Sequence, residues 1–137
     1  MELKNPAKKY TSTKSLVYSC QFHVIFCSKY RRKVLQDGID DRFKQLVLEK
    51  QDEYKYTVLE MEVMPDHVHL LLDTCPADNI NQIVGKIKGY TANMLRGEYP
   101  SLVSRIPSLW TRSRFISTVG AVSLEVVKQY IENQKGK

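Results

Sequence analysis

The stretch Met64-Pro65-Asp66-His67-Val68-His69-Leu70-Leu71-Leu72 holds two of the chain's three histidines, one apolar residue apart. On a β-strand successive side chains alternate faces, so His67 and His69 point one way while Val68, Leu70 and Leu72 point the other. Pro65 fits at or just before the strand start, where its missing N–H does no harm. Two neutral imidazoles side by side on a strand can share one divalent cation. The same spacing also suits a strand with two ordinary histidines. The far end of the chain adds weight to the first reading, because Tyr130 and Gln134 lie four residues apart on an expected helix, near the face of Val126 and Val127. Singly, Tyr130 reads as a boundary tyrosine and Gln134 as a helix-end amide. As a group, His67, His69 and Gln134 read as a three-ligand metal site with Tyr130 as the nucleophile beside it.

That grouping matches what phosphodiester cleavage needs. Negative charge on the phosphoryl oxygens and on the leaving oxygen has to be neutralised. Three neutral ligands would leave a divalent cation's charge intact for that purpose. A tyrosine titrates near ~10 in water, and a nearby cation with Lys and Arg side chains favours its phenolate. A phosphotyrosine ester conserves the energy of the broken bond, so rejoining strands requires no nucleotide cofactor.

The elements that would position these residues follow from periodicity and punctuation. Met1 to Lys14 reads as a flexible basic arm, and residues 15–137 as a single domain. Leu16 to Phe26, dense in Val, Tyr, Phe and Ile, reads as a first strand. After the Asp37-Gly38 turn signal, Ile39, Phe43, Leu46 and Val47 recur at helical spacing over about 39–52. Tyr54 to Met64 alternates as a second strand, with a bulge expected where the apolar phase slips. Pro65-Asp66 then turns the chain into the histidine strand as an antiparallel neighbour. Asp78 or Asn79 caps a second helix with Ile80, Ile83, Val84, Ile87, Met94 and Leu95 inward and Lys86, Lys88, Tyr90 and Arg96 outward. Residues 97–109 read as a loop, Trp110 to Thr118 as a fourth strand, and about 124–134 as a final helix capped by Ser123. Strand, helix, strand, strand, helix, strand is the α+β split βαβ order of ferredoxin-like and RNA-recognition folds, with an added C-terminal helix. In that fold the first and third strands are central, which puts the histidines mid-sheet.

Charge sets further bounds. The net charge is +6. Residues 1–33 carry eight Lys/Arg against Glu2, whereas 36–78 carry eleven acids against four bases and 86–114 six bases against Glu98. Separated basic blocks suit a phosphate backbone. The candidate nucleic-acid contacts are Lys29, Tyr30, Arg31 and Arg32 in the first block and Lys86, Lys88, Tyr90, Arg112 and Arg114 in the second. No apolar run approaches the ~20 residues of a membrane span, and the polar N-terminus lacks an apolar signal segment. The expectation is a cytoplasmic protein, nucleoid-associated when on DNA. Three cysteines, Cys20, Cys27 and Cys75, are an odd number and fit reduced thiols. His23, on the first strand, is read as structural.

Pro65-Asp66-His67-Val68-His69-Leu70-Leu71, Lys88-Gly89-Tyr90-Thr91, Trp110 with Arg114-Phe115, and Tyr130-Ile131-Glu132-Asn133-Gln134 together resemble one family. It is the small one-tyrosine HUH (His-hydrophobe-His) transposases of bacterial insertion sequences, and the resemblance runs from about Val17 to Gln134. It implies that Tyr130 attacks single-stranded DNA at an element end, leaving a 5′-phosphotyrosine and a free 3′-hydroxyl. It also implies that His67, His69 and Gln134 hold Mg²⁺ or Mn²⁺, and two imidazoles with an amide suit Mn²⁺ the better. Further implications are recognition of subterminal hairpins, a homodimer with composite active sites, and a hinge near Gly120. Where the family often has Tyr-Phe in the fourth strand, this chain has Arg114-Phe115.

Two other classes fit parts of the pattern. One is a non-catalytic RNA-recognition-like module that holds single strands with Tyr30, Tyr90 and the basic blocks. It lacks the usual aromatic sheet motif on the third strand. The other is a nuclease using activated water, for which only Asp66 and Asp73 supply nearby carboxylates.

Overall fold

The computed structural model describes residues 11–12, 17–120 and 124–137. Its framework is a four-stranded antiparallel sheet in the order β4-β5-β3-β6, formed by β3 (Gln21–Cys27), β4 (Tyr56–Met64), β5 (His67–Thr74) and β6 (Phe115–Thr118). The first long strand and the histidine strand are therefore central and adjacent, as the split βαβ order requires. A small ladder joins β1 (Thr11–Ser12) to β2 (Val17–Tyr18). Those two pairs modify the expected arm, whose other residues, 1–10 and 13–14, lie outside the described ones.

Strand alternation gives the sheet two faces. Val24 and Phe26 of β3 and Val68, Leu70 and Leu72 of β5 face α1 (Ile39–Glu49) and α3 (Ile80–Glu98), forming the main core. Its densest part is aromatic. Trp110 meets Phe26 and Phe43 edge-on at ring separations of 4.7 and 5.5 Å, and donates from Nε1 to Thr91 Oγ1 at 3.1 Å. The other face carries His23, Ile25 and Cys27 beside His67 and His69, since Ile25 pairs with His69 and Cys27 with His67. There Ile25 packs against Val127 and Ile131 of α5 (Leu124–Glu132).

Several local expectations hold. Asn79 caps α3, its side chain accepting from the Gln82 N–H at 3.1 Å. The ladder between β4 and β5 slips between Val58 and Glu60, where the apolar phase changes. Gly38 opens α1 in the left-handed region with φ +96.

Others need correction. The first helix stops at Glu49, and a single turn, α2 (Gln51–Tyr54), follows it. Residues 100–105, read as loop, form α4 (Pro100–Arg105), because proline at the first helical position costs no hydrogen bond. The fourth strand starts only at Phe115: Trp110 makes an isolated bridge to Ser28, and 111–114 leave the ladder. α5 ends at Glu132, so Gln134 sits in the closing turn, its N–H bonded to Ile131 C=O at 3.1 Å. The proposed Ser123 cap lies outside the described residues.

Candidate active site

His67 begins β5 directly after the Pro65-Asp66 turn, and its imidazole is buried. Its Nδ1 lies 2.7 Å from Asp66 Oδ1, while Arg31 donates from Nε and Nη2 to Asp66 Oδ2 at 3.1 and 2.9 Å. Burial opposes ionisation of Asp66, yet the hydrogen bonds from His67 and Arg31 outweigh it and hold the carboxyl below its ordinary value. An ionised carboxylate only accepts, so the neutral form of the His67 ring carries its proton on Nδ1 and its lone pair on Nε2. That Nε2 is buried and has no partner. A buried acceptor without a donor costs on the order of 1–3 kcal/mol, and a cation is the partner that would satisfy it.

His69 lies two residues on, also buried, with Nε2 2.9 Å from Nδ1 of His23 and the two rings stacked at 5.1 Å. Burial, followed by the neighbouring His23 and His67, pushes His69 down to about 4, so the ring is neutral at physiological pH. Burial likewise lowers His23 from its ordinary value. The His23 contact was invisible in the sequence, where the two residues are 46 positions apart. The only available signal was odd-residue parity on β3. Glu62, opposite His69 on β4, adds a carboxylate to the same face.

α5 brings the remaining groups onto this face. Val127 and Ile131 seat it on Ile25, the ladder partner of His69. Tyr130 then packs its ring 5.3 Å from Phe115 and places its hydroxyl 3.0 Å from Ser113 Oγ. Burial raises the Tyr130 phenol above its ordinary value, against the opposing hydrogen bond from Ser113 and the charge of Arg114. Tyr130 is therefore a phenol at neutral pH. Gln134 is buried, and its Oε1 lies 3.5 Å from the Thr111 hydroxyl. The Thr111 N–H donates to Cys27 C=O at 3.0 Å, and Cys27 is the ladder partner of His67. Gln134 is thereby placed at the His67 end of the strand pair. Burial pushes the Cys27 thiol up to about 12, so it stays protonated and unreactive.

The C-terminal end of α5 is tied down by an unusual turn at residues 29–31. Tyr30 and Arg31 adopt φ of +58 and +53, a left-handed conformation that costs non-glycine residues on the order of 1–3 kcal/mol each. The Tyr30 N–H donates to Lys137 C=O at 2.7 Å, and Arg31 reaches the Ile131 carbonyl and the Glu132 carboxylate as well as Asp66. One guanidinium thus joins the carboxylate that orients His67 to the helix that carries Tyr130.

The candidate nucleic-acid contacts do not form one surface. Tyr30 and Arg32 are exposed, and Lys29 lies 5.1 Å from the Tyr30 ring. Arg31 is committed to Asp66. Arg112 is exposed and Arg114 half-buried on the segment beside Tyr130. Lys86 and Tyr90 lie on α3, across the sheet, where Tyr90 donates to Glu49 at 2.9 Å. Two residues expected on the outer face of that helix turn inward. Lys88 is buried, its ammonium bonded to backbone carbonyls, and Arg96 donates to Ile106 C=O at 2.9 Å.

Among the described residues no cluster of three or more His, Cys, Asp or Glu could hold a metal. The candidate set here is two histidines and an amide. No helix of the described residues is long and apolar enough to cross a membrane.

Comparison with known proteins places this geometry. A family profile described as IS200-like transposase matches residues 16–134. The ISDra2 transposase TnpA of Deinococcus radiodurans is 37% identical over 123 residues, covering 88% of each chain. The transposase of insertion sequence IS200 from Salmonella typhimurium is 30% identical over 120 residues, covering 85% of this chain and 78% of that one. A crystal structure of a transposase from Deinococcus radiodurans superposes with a TM-score of 0.85 at 32% identity, covering 93% of this chain and 99% of that one. A REP-associated tyrosine transposase bound to a REP hairpin shares the fold alone, with a TM-score of 0.55 at 10% identity. The chain belongs to the IS200-like transposases.

Proposed function

We propose that the protein cleaves and rejoins single-stranded DNA at insertion-element ends through a 5′-phosphotyrosine on Tyr130. The observation that carries this reading is the buried, unpartnered Nε2 of His67, fixed by Asp66 on the sheet face that receives Tyr130 and Gln134. In this reading His67, His69 and Gln134 would hold Mg²⁺ or Mn²⁺, which would supply charge neutralisation at the phosphate. The Tyr130 oxygen attacks phosphorus, the new O–P bond forms as the P–O3′ bond breaks, and the 3′ oxygen leaves and takes up a proton. The phenol proton passes to solvent. Rejoining reverses these changes, with a 3′-hydroxyl attacking and Tyr130 leaving. Because the phenol lies above its ordinary value, the phenolate fraction grows about tenfold per pH unit through the neutral range. Adduct formation is expected to rise with pH accordingly.

The test is a denaturing gel of labelled DNA from the ends of the chain's own element. Single strands with Mn²⁺ should give a protease-sensitive adduct, and duplex DNA or chelation of the cation should give none. Equal cutting with the cation removed would contradict the reading. The non-catalytic binding module would bind the single strand and leave it intact.

The contact between Asp66 and His67 gives a separate measurement. Asp66→Ala removes the acceptor that sets the His67 tautomer, and is expected to weaken Mn²⁺ binding about 10–100-fold by calorimetry. Unchanged affinity would mean that His67 is no ligand.

The family's homodimer with composite sites and its subterminal hairpins belong to the same proposal, as do cytoplasmic residence and association with the nucleoid on DNA. Composite sites predict that mixing Tyr130→Phe with His67→Ala protein restores adduct formation, because some mixed dimers hold one intact site. Failure to restore it would mean that each site is completed by its own α5.

A further inference from the structure

Lys88 is the one buried lysine among the described residues. It lies in the middle of α3, 5.6 Å from the Phe26 ring. Its ammonium donates to Thr111 C=O at 2.6 Å, Ser113 C=O at 3.1 Å and Arg112 C=O at 3.4 Å. Three donors therefore meet three successive carbonyls. Burial pushes this ammonium down to about 8, a measure of what it costs the fold to keep it there. An apolar side chain against Phe26 would have served the core without that cost.

The three carbonyls explain why the fourth strand starts late. On an extended strand successive carbonyls point to opposite sides, so three cannot converge on one atom. Residues 111–113 leave the ladder to meet Lys88, and the side chains of Thr111 and Ser113 turn toward α5. The Thr111 hydroxyl reaches Gln134 Oε1 at 3.5 Å, and Ser113 Oγ reaches the Tyr130 hydroxyl at 3.0 Å. The Ser113 N–H donates to Thr111 Oγ1 at 3.1 Å, so the two contacts are locked to each other.

We propose that Lys88 is a positioning residue for the strand-transfer reaction: by gathering the carbonyls of residues 111–113 it sets the two hydroxyls that hold the Tyr130 phenol and the Gln134 amide. This rests on the reading of Tyr130 as nucleophile and Gln134 as ligand. Lys88 itself touches neither.

Lys88→Met keeps the length of the side chain and removes the donors, and Lys88→Arg keeps the charge but has a planar fork that cannot meet all three carbonyls. In the full chain, nuclear magnetic resonance should show the Tyr130 ring and Gln134 side-chain amide signals displaced in both variants, with the Leu70 and Leu72 methyls unmoved. Single-turnover cleavage should slow about 100-fold in Lys88→Met, with the half-saturating DNA concentration unchanged. Ser113→Ala should slow the wild type about fivefold and have no further effect in the Lys88→Met background, because both act on the same hydroxyl. Unmoved Tyr130 and Gln134 signals, or two substitutions whose effects multiply, would overturn the proposal. If the wild-type protein forms no adduct, the nucleophile reading falls, and the resonance comparison still decides what Lys88 holds.

Discussion

Tyr130→Phe is expected to abolish the covalent protein–DNA species and leave the fold in place. The substitution removes one oxygen. The ring keeps its packing against Phe115, and the lost contact is the single hydrogen bond with Ser113 Oγ at 3.0 Å. A neutral hydrogen bond contributes about 1 kcal/mol, so thermal unfolding should shift by no more than a few degrees. Without the oxygen no phosphotyrosine can form, and adduct should fall below detection at any pH or cation concentration. DNA binding, which does not need the phenol, should persist. A water-activating nuclease would behave differently: Tyr130→Phe would cut at nearly the wild-type rate.

The second large effect is expected at His67. His67→Ala should lower the rate of adduct formation by about 10³-fold, equivalent to ~4 kcal/mol of lost transition-state stabilisation, the scale of removing a cation's charge from the phosphate. Unfolding cannot account for such a loss. The wild-type Nε2 is a buried acceptor with no partner, and Asp66 retains Arg31 after the substitution. The variant loses the His67 contact with Asp66 but also removes that unpartnered acceptor, and it should remain folded. A readout independent of activity separates the explanations: Mn²⁺ should raise the melting temperature of the wild type by mass action and leave that of His67→Ala unmoved. Equal stabilisation of both would remove His67 from the ligand set.

Features carried by short-range spacing were legible in the sequence. His67 and His69 are two apart on a strand, and strand parity alone places them on one face. Asn79 announces α3 because capping is local, and the phase slip near Leu59 announces its bulge. The strand order followed from the succession of elements, since few sheets accommodate it. What escaped was set by distant partners. Nothing near His23 reveals that its ring stacks on His69. Lys29, Tyr30, Arg31 and Arg32 read together as candidate nucleic-acid contacts, yet Arg31 is committed to Asp66 through a left-handed turn. The alternation of Trp110 to Thr118 promised a continuous strand, and where it is interrupted the ammonium of the distant Lys88 takes up the carbonyls. Pro100 read as a loop residue because a proline that breaks a helix and one that starts it look alike until the neighbours are known.

The most direct test of the account is to map the bond itself. Wild-type protein would be incubated with Mn²⁺ and a single-stranded oligonucleotide from its element end, digested with protease and nuclease, and analysed by tandem mass spectrometry. The account predicts a nucleotide joined through its 5′-phosphate to the peptide containing Tyr130, with the released strand ending in a 3′-hydroxyl. An adduct on another residue, or cleaved DNA with no peptide attached, would contradict it.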